Sequence, residues 1–277
     1  MNQEIVVTKA NGEQEPFEIL KLENSLRKAK AKQDAINTVV KHVVLELRSG
    51  MTTAEIYKHA FEMLKKLEHP TALRYSLRRA MMELGPSGFP FEKIVGEIFT
   101  AHGFTVRYDS MLSGRCADHE IDIVAYDDQK LIMVEAKYHN SLGIQSDLKV
   151  ALYVKARIDD LKEAKFMFGK ERTLDEGWLV TNTKFTSSAI KYAVCRGIKV
   201  VGWNYPAVGN LQDMIEEEGL HPLTCLSSLS QTAKAALLNS KVVLAKDVPQ
   251  QVEILKGAGV GASEIDQIMR EVNLLYA

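Results

Sequence analysis

Leu131-Ile132-Met133-Val134 runs directly into Glu135-Ala136-Lys137. Four consecutive apolar residues predict a strand buried in a sheet. Side chains alternate along a strand, so Leu131, Met133, Glu135 and Lys137 share one side. An acid and an amine two residues apart therefore point the same way where the strand leaves its core. The preceding stretch, Ile121-Asp122-Ile123-Val124, offers one carboxylate among apolar neighbours, and Asp127-Asp128 marks a turn between the two. Folded as a hairpin, these strands bring Asp122 and Glu135 to one point.

Converging carboxylates suit a hard divalent cation. Mg²⁺ or Mn²⁺ takes one or two protein carboxylates and completes its shell with other oxygens. The carbonyl of Ala136 could serve as a further donor, so the predicted metal set is Asp122, Glu135 and Ala136. Such a metal makes water nucleophilic and neutralises charge on a phosphodiester under attack. Lys137 would orient that water or stabilise developing negative charge. Acid-x-Lys alone is common, however. A strand-edge salt bridge between Glu135 and Lys137, with a turn role for Asp122, accounts for the same residues.

The rest of the chain divides by its helix breakers. Gly85-Pro86-Ser87-Gly88-Phe89-Pro90 marks one boundary, and the stretch from Tyr205-Pro206 to His221-Pro222 marks another. The expected domains are 1–85, 86–220 and 221–277. The first opens with a strand at Ile5–Lys9 and a turn at Asn11-Gly12, followed by helices through Ile36–Leu47, Thr53–Leu67 and Thr71–Leu84. The second alternates strands and helices, with a long helix expected from Ile144 to Phe168, which is the pattern of an α/β sandwich. The third reads as short helices. The fold class is therefore α/β multidomain: a hairpin plus helical bundle, a central sandwich and a C-terminal helical segment.

Charge separates the segments. Residues 1–85 carry 14 Lys and Arg against 11 Asp and Glu, whereas residues 86–220 carry 16 against 20. The acidic excess of the middle segment argues against tight, charge-driven nucleic-acid binding but supplies ligands for a cation. Three cysteines, Cys116, Cys195 and Cys225, lie far apart and indicate neither a zinc site nor a disulfide framework. Met1-Asn2-Gln3-Glu4 lacks the start of a signal peptide, and no apolar run approaches a membrane span, so a cytoplasmic location and no membrane partner are expected.

Phe89-Pro90-Phe91-Glu92-Lys93-Ile94-Val95-Gly96-Glu97-Ile98-Phe99, Gly103-Phe104, Glu120-Ile121-Asp122-Ile123-Val124 and Val134-Glu135-Ala136-Lys137 together resemble the Mrr-like branch of the PD-(D/E)XK restriction endonucleases. The resemblance covers roughly residues 88–205. It implies a restriction-endonuclease-like α/β/α sandwich with Asp122, Glu135 and Lys137 as catalytic residues. It also implies a helical carboxylate near the metal, a position that Glu97 matches. The Pro of the family's name is replaced here by Ile121. Beside these residues, His119 and His139 are weaker candidates for phosphate contact, His119 reading more simply as a solvent-facing loop residue. Gln145, Lys149 and Tyr153 form a stripe at helical spacing that is either near the site or a solvated face. Trp203 reads as core.

Val7-Thr8-Lys9-Ala10-Asn11-Gly12, Pro16-Phe17, Lys21-Leu22 and Leu26-Arg27-Lys28-Ala29 resemble the ATP-cone, a regulatory domain that binds ATP or dATP. The resemblance covers about residues 3–85. It implies that Lys9 and Lys21 face the phosphates and that Val7 lies near the base, with Arg74 or Arg78 within reach of a phosphate. Two ammonium groups beside a turn and a helix start favour polyphosphate. No GxxxxGK[ST] loop is present, so nucleotide would act as an effector and would not be hydrolysed. In the C-terminal segment, small residues around Gly257-Ala258-Gly259-Val260-Gly261 resemble a helix–hairpin–helix only weakly, and five cations against five anions give no support for phosphate binding. A helical cap or dimerisation element is the simpler expectation.

These readings combine into a divalent-metal-dependent DNA endonuclease with ATP or dATP as effector. Cutting both strands of a duplex calls for two sites, which a homodimer would supply. The alternative is a non-catalytic ATP- and nucleic-acid-binding regulator that keeps the nuclease fold as a scaffold.

Overall fold

The computed structural model describes residues 5–276. The reading of Met1-Asn2-Gln3-Glu4 lies outside the described residues. The chain forms two compact units. One holds the residues up to Glu83 together with those from His221 onward, and the other spans Leu84–Leu220.

The first unit opens with an antiparallel hairpin, β1 (Val6–Thr8) and β2 (Gln14–Pro16), in which Val7 stands opposite Glu15. Five helices follow: α1 (Ile19–Lys28), α2 (Gln33–Glu46), α3 (Thr53–Leu67), α4 (His69–Tyr75) and α5 (Leu77–Met82). The N-cap of α3 is Thr52, one residue before the expected start. Its side chain accepts from the Glu55 amide while Glu55 reaches back to the Thr52 amide, which satisfies two otherwise orphaned donors. The helix expected over Thr71–Leu84 is broken at Ser76, where the hydroxyl bonds to the Leu73 carbonyl. Val7, Leu26, Ile36, Val39, Val43 and Leu64 form the buried centre.

The second unit runs α6 (Phe89–Ala101), β3 (Thr105–Ser113), β4 (Asp118–Tyr126), β5 (Leu131–Lys137), β6 (Gln145–Ser146), α7 (Leu148–Lys162), β7 (Phe166–Phe168), β8 (Lys170–Arg172), β9 (Glu176–Thr181), β10 (Lys184–Phe185), α8 (Ser187–Cys195), β11 (Lys199–Val201) and α9 (Leu211–Glu217). Its main sheet has the order β11-β9-β5-β4-β3. β3, β4 and β5 pair antiparallel, as two tight connections allow, while β5, β9 and β11 pair parallel through helical crossovers. Alternation assigns the two faces. Val124, Leu131, Met133 and Leu179 pack with Val154, Ile158 and Leu161 of α7 and with Ala189 and Ala193 of α8. Ile132 and Val180, one residue out of phase, meet Val95, Ile98 and Phe99 of α6 and Leu211 and Met214 of α9. The strand Leu131–Val134 is thus covered on both sides. Trp203 is buried, as expected.

The long helix expected over Ile144–Phe168 is shorter at both ends. Asp147 caps it by accepting from the amides of Lys149 and Val150, so Gln145 lies before the helix, in β6, parallel to β10. At the other end Phe166 and Phe168 are both buried at a spacing of two. That is a strand's period, and they belong to a hairpin that turns at Gly169.

From His221 the chain returns to the first unit with α10 (Gln231–Asn239), α11 (Val252–Gly257) and α12 (Ala262–Tyr276). Thr224 donates to the Ala80 carbonyl, Arg74 donates to the Leu275 carbonyl, and Lys234 pairs with Glu83. Glu271, almost fully buried, accepts from the Ser228 amide and from the Ser227 and Ser228 hydroxyls, with the His69 imidazole 3.2 Å away. A carboxylate so enclosed is tolerated because its oxygens are hydrogen-bonded.

Gly96 has a steric reason to be glycine. An added Cβ would lie 2.6 Å from ring carbons of Tyr108, which packs across α6 from β3. In an open helix Gly→Ala would stabilise by about 1 kcal/mol. Here overpacking outweighs that gain, and Gly96→Ala should destabilise the protein by roughly 1–3 kcal/mol. Urea denaturation of the two proteins measures this directly. A more stable variant would show that Tyr108 moves aside freely.

Candidate active site

The last registered pair of β4 and β5 is Ile123↔Val134, so one step further along the same antiparallel ladder Asp122 stands opposite Glu135. The hairpin turn that sets this register is fixed by Asp127, whose Oδ1 accepts from the amides of Gln129 and Lys130. On the other side of β4, the pairs Tyr108↔Ile123 and Ser110↔Ile121 place Asp109 opposite Asp122. Asp109 has a left-handed backbone (φ 47°), which Asp tolerates better than most residues. Asp109 thus adds a third negative charge near Asp122, one that helps to raise the Asp122 carboxyl.

Asp122 is oriented by the backbone. Its Oδ2 accepts from the Ala136 amide at 2.7 Å, so the residue between Glu135 and Lys137 also fixes the carboxylate of the neighbouring strand. Glu135 Oε2 is ion-paired with Arg157 of α7. Burial pushes both carboxyls above their ordinary range. For Asp122 the Ala136 amide and the Arg157 charge oppose that rise. For Glu135 the charge of Asp122 adds to it, while Arg157 and Lys137 oppose it. Lys137 itself is exposed, at the end of β5.

These groups open onto a polar cleft of about 260 Å³. Asp118, Glu120, Asp122 and Glu135 line it with carboxylates, and His119, Tyr153 and Arg157 complete it. His119 is not a solvent-facing loop residue. It lies on β4, mostly covered, with Nε2 2.7 Å from Asp160 Oδ2. The His119 imidazole and the amides of Cys116 and Ala117 hold the Asp160 carboxyl down at about 2. Asp160 thus ties the β3–β4 turn to α7. His139 turns away from solvent too: Asn182 brackets its backbone, accepting from its amide at 2.9 Å and donating to its carbonyl at 2.7 Å, and its Nε2 lies 3.1 Å from the Ser146 hydroxyl.

Glu97 stands apart from the carboxylates that it was expected to join. It pairs with Lys93 at 2.7 Å, beside Tyr108. The acid of α6 that senses the site is Glu92. Burial, and then the charges of Asp122, Asp109, Glu135 and Glu120, push its carboxyl up to about 7. Five residues separate Glu92 from Glu97, about 140° around a helix, so only one of the two can face the sheet's acidic corner. The candidate stripe is displaced in the same way: Gln145 is not on α7, whereas Tyr153 lines the cleft and the next position at the same spacing is Arg157. One more turn of the Lys149-Tyr153 periodicity would have found it.

The donor set fits a hard divalent cation. Two half-buried carboxylates repel one another, and their oxygens match the ligand preference of Mg²⁺ or Mn²⁺. Among the described residues no three His, Cys, Asp or Glu side chains are gathered as a metal-holding group. Water and a backbone carbonyl are the usual complement for Mg²⁺.

In the first unit, Lys9 and Lys21 meet at one carboxylate. Glu15 Oε2 is 2.8 Å from Lys9 and 3.2 Å from Lys21, with Glu13 and Glu18 as further partners. Val7 is buried on β1. Arg74 is engaged with the Leu275 carbonyl, and Arg78 is exposed.

Comparison with known proteins finds three matching families along the chain. Residues 5–82 match the ATP cone domain, residues 85–211 a restriction endonuclease domain of the Mrr catalytic type, and residues 221–276 the AF1548-like C-terminal domain. An uncharacterized protein of Archaeoglobus fulgidus is 32% identical over 178 residues, which are 64% of this chain and 97% of that one. The crystal structure of the protein of unknown function AF1548 is 30% identical with a TM-score of 0.55, covering 68% of this chain and 97% of that one. The MspJI restriction endonuclease in complex with a 27-mer oligonucleotide is 14% identical with a TM-score of 0.34, covering 71% of this chain and 40% of that one. No helix among the described residues is long and apolar enough to cross a membrane.

Glu92 gives the site a measurable pH signature. Its folded-state pKa is raised, so the native chain binds this proton more tightly than the unfolded chain does. The associated stability is complete below about pH 4.5 and is lost as pH rises through about 7. Glu92→Gln should therefore flatten the loss of stability between about pH 5 and pH 7.5, by of order 1 kcal/mol once solvent screening of a half-buried group is allowed for. Denaturant titrations of both proteins at the two pH values test it, and identical slopes would place the pH dependence elsewhere.

Proposed function

Because the chain belongs to the AF1548-like family and joins an ATP cone to an Mrr-type restriction endonuclease domain, we propose that it is a divalent-metal-dependent DNA endonuclease regulated by ATP or dATP. The observation that carries this reading is the pair Asp122–Glu135. These are two half-buried carboxylates on adjacent strands, pushed up by burial and opening on an acidic cleft at the end of an apolar strand.

Asp122 and Glu135 would hold the metal, with the Ala136 carbonyl as a further donor. When bound, Mg²⁺ or Mn²⁺ would supply Lewis-acid activation of water and of the scissile phosphate. The Ala136 amide orients the Asp122 carboxylate. Lys137, whose charge acts on Glu135, would stabilise negative charge developing on a phosphate oxygen. Glu92, with a carboxyl at about 7, is suited to exchange a proton with water near neutrality. Glu97 is assigned no part in this chemistry. Cleavage of both strands would take two copies of the chain, that is, a homodimer on DNA.

At the N-terminal unit, ATP or dATP would place its phosphates at Lys9 and Lys21, displacing Glu15, with Val7 below the base. The hairpin supplies charges and no hydrolytic residue, so nucleotide acts as an effector.

Asp122→Asn and Lys137→Ala should each abolish Mg²⁺- or Mn²⁺-dependent cleavage across plasmid, linear and single-stranded DNA while leaving circular dichroism unchanged and melting no lower than in the wild type. Retained cleavage in purified Asp122→Asn would sink the assignment. A folded, nucleotide-binding wild type that cuts none of these would favour the non-catalytic regulator. Separately, Lys9→Ala or Lys21→Ala should weaken ATP or dATP binding by about tenfold, the loss of one charge-assisted phosphate contact, in calorimetric titration. Unaltered affinity in both variants would remove nucleotide from this hairpin.

A further inference from the structure

Among the described residues, Arg157 is the one guanidinium that lines the acidic cleft. Its side chain is only 10% exposed and is ion-paired with Glu135, and the guanidinium lies over the ring of Tyr153, 5.3 Å from its centroid. Its helix is anchored on either side by buried Val154, Ile158 and Leu161. The backbone is therefore fixed, and the guanidinium stands at the wall of a cleft that also takes in Tyr153, which is largely exposed.

We propose that Arg157 is an exchangeable counter-cation: it occupies the Glu135 carboxylate when metal is absent and passes to a nucleic-acid phosphate when metal loads. The inference rests on the reading of Asp122 and Glu135 as metal ligands. Three points support the exchange. Arg157 holds one of the two Glu135 oxygens that a metal would draw on. A dication placed between Asp122 and Glu135 would repel a guanidinium in contact with Glu135. Finally, the cleft carries four lining carboxylates and would otherwise repel DNA, whereas a planar guanidinium matches a phosphate with two hydrogen bonds. A phosphate that draws Arg157 away frees Glu135 for metal, and metal that takes Glu135 frees Arg157 for phosphate. By linkage each ligand strengthens the other. The site is thus kept from holding metal tightly until its substrate arrives.

The test is Mn²⁺ titration of the full-length protein without DNA, by calorimetry, for wild type, Arg157→Gln and Asp122→Asn. Arg157→Gln should bind Mn²⁺ about fivefold tighter or more, and Asp122→Asn should lose the site. Binding that is unchanged or weaker in Arg157→Gln, beside a wild type that binds, overturns this inference alone. No binding in either wild type or Arg157→Gln overturns the metal-site reading and this inference with it. A second arm uses wild-type protein and does not depend on how Arg157→Gln folds. In protein labelled with ¹⁵N-arginine, the Arg157 Nε–Hε resonance, assigned by its loss in Arg157→Lys, should shift on addition of Ca²⁺. A resonance that stays in place as Ca²⁺ saturates the site overturns the exchange.

Discussion

The register between β4 and β5 is the constraint on which the rest of the site depends. A slip of one residue would turn every side chain of a strand to the opposite face. Asp122 would then point into the apolar layer under α6, and Glu135 would lose both its neighbour and Arg157. Two features hold the register. Alternate apolar residues of β5 are claimed by different helices, Leu131 and Met133 by α7 and Ile132 by α6 and α9. The turn is tied down by Asp127. The acids are thus kept at the cleft by hydrophobic burial elsewhere in the same two strands.

That arrangement costs electrostatic energy, and the surroundings show how it is contained. Asp122, Glu135 and Glu92 all have carboxyls above their ordinary range, because burial and mutual repulsion outweigh the available partners. The partners are local and specific: one backbone amide, one guanidinium and the ammonium of Lys137. By contrast Asp160, on the far side of the cleft, is fully satisfied by two amides and an imidazole and has its carboxyl at about 2. The same residue type is frustrated at one place and structural at the other. The difference lies in how many donors the fold supplies to each. Clusters with unmet charge are where cations and proton transfer belong.

The first unit repeats the theme with opposite sign. Lys9 and Lys21 are drawn to one carboxylate, Glu15, because the hairpin sets Glu15 beside both. The C-terminal segment makes its own ties to the N-terminal helices, from buried Glu271 to His69, from Thr224 to Ala80 and from Leu275 to Arg74. Residues separated by more than a hundred positions thereby share one hydrophobic and hydrogen-bonded body.

Much of this was legible along the chain. Apolar runs and their periods gave the strands and most helices, because burial imposes a spacing of two or of 3.6 whatever lies around the element. The acid-x-Lys at the end of a buried strand, and an Asp among apolar residues before it, pointed for the same reason to Asp122 and Glu135, which line one cleft. What sequence spacing could not decide was which face of α6 meets the acids. Glu92 and Glu97 are equivalent as letters, and only the packing of Tyr108 against Gly96 and of Lys93 against Glu97 turns the second away. Nor could it place Arg157 on Glu135, because that contact joins a strand to a helix 22 residues later across a face that exists only once the sheet has formed. The sequence by itself determined the elements and the chemical types at their ends. The tertiary structure decided which of those groups share a dielectric and a partner, because both depend on what is packed around them.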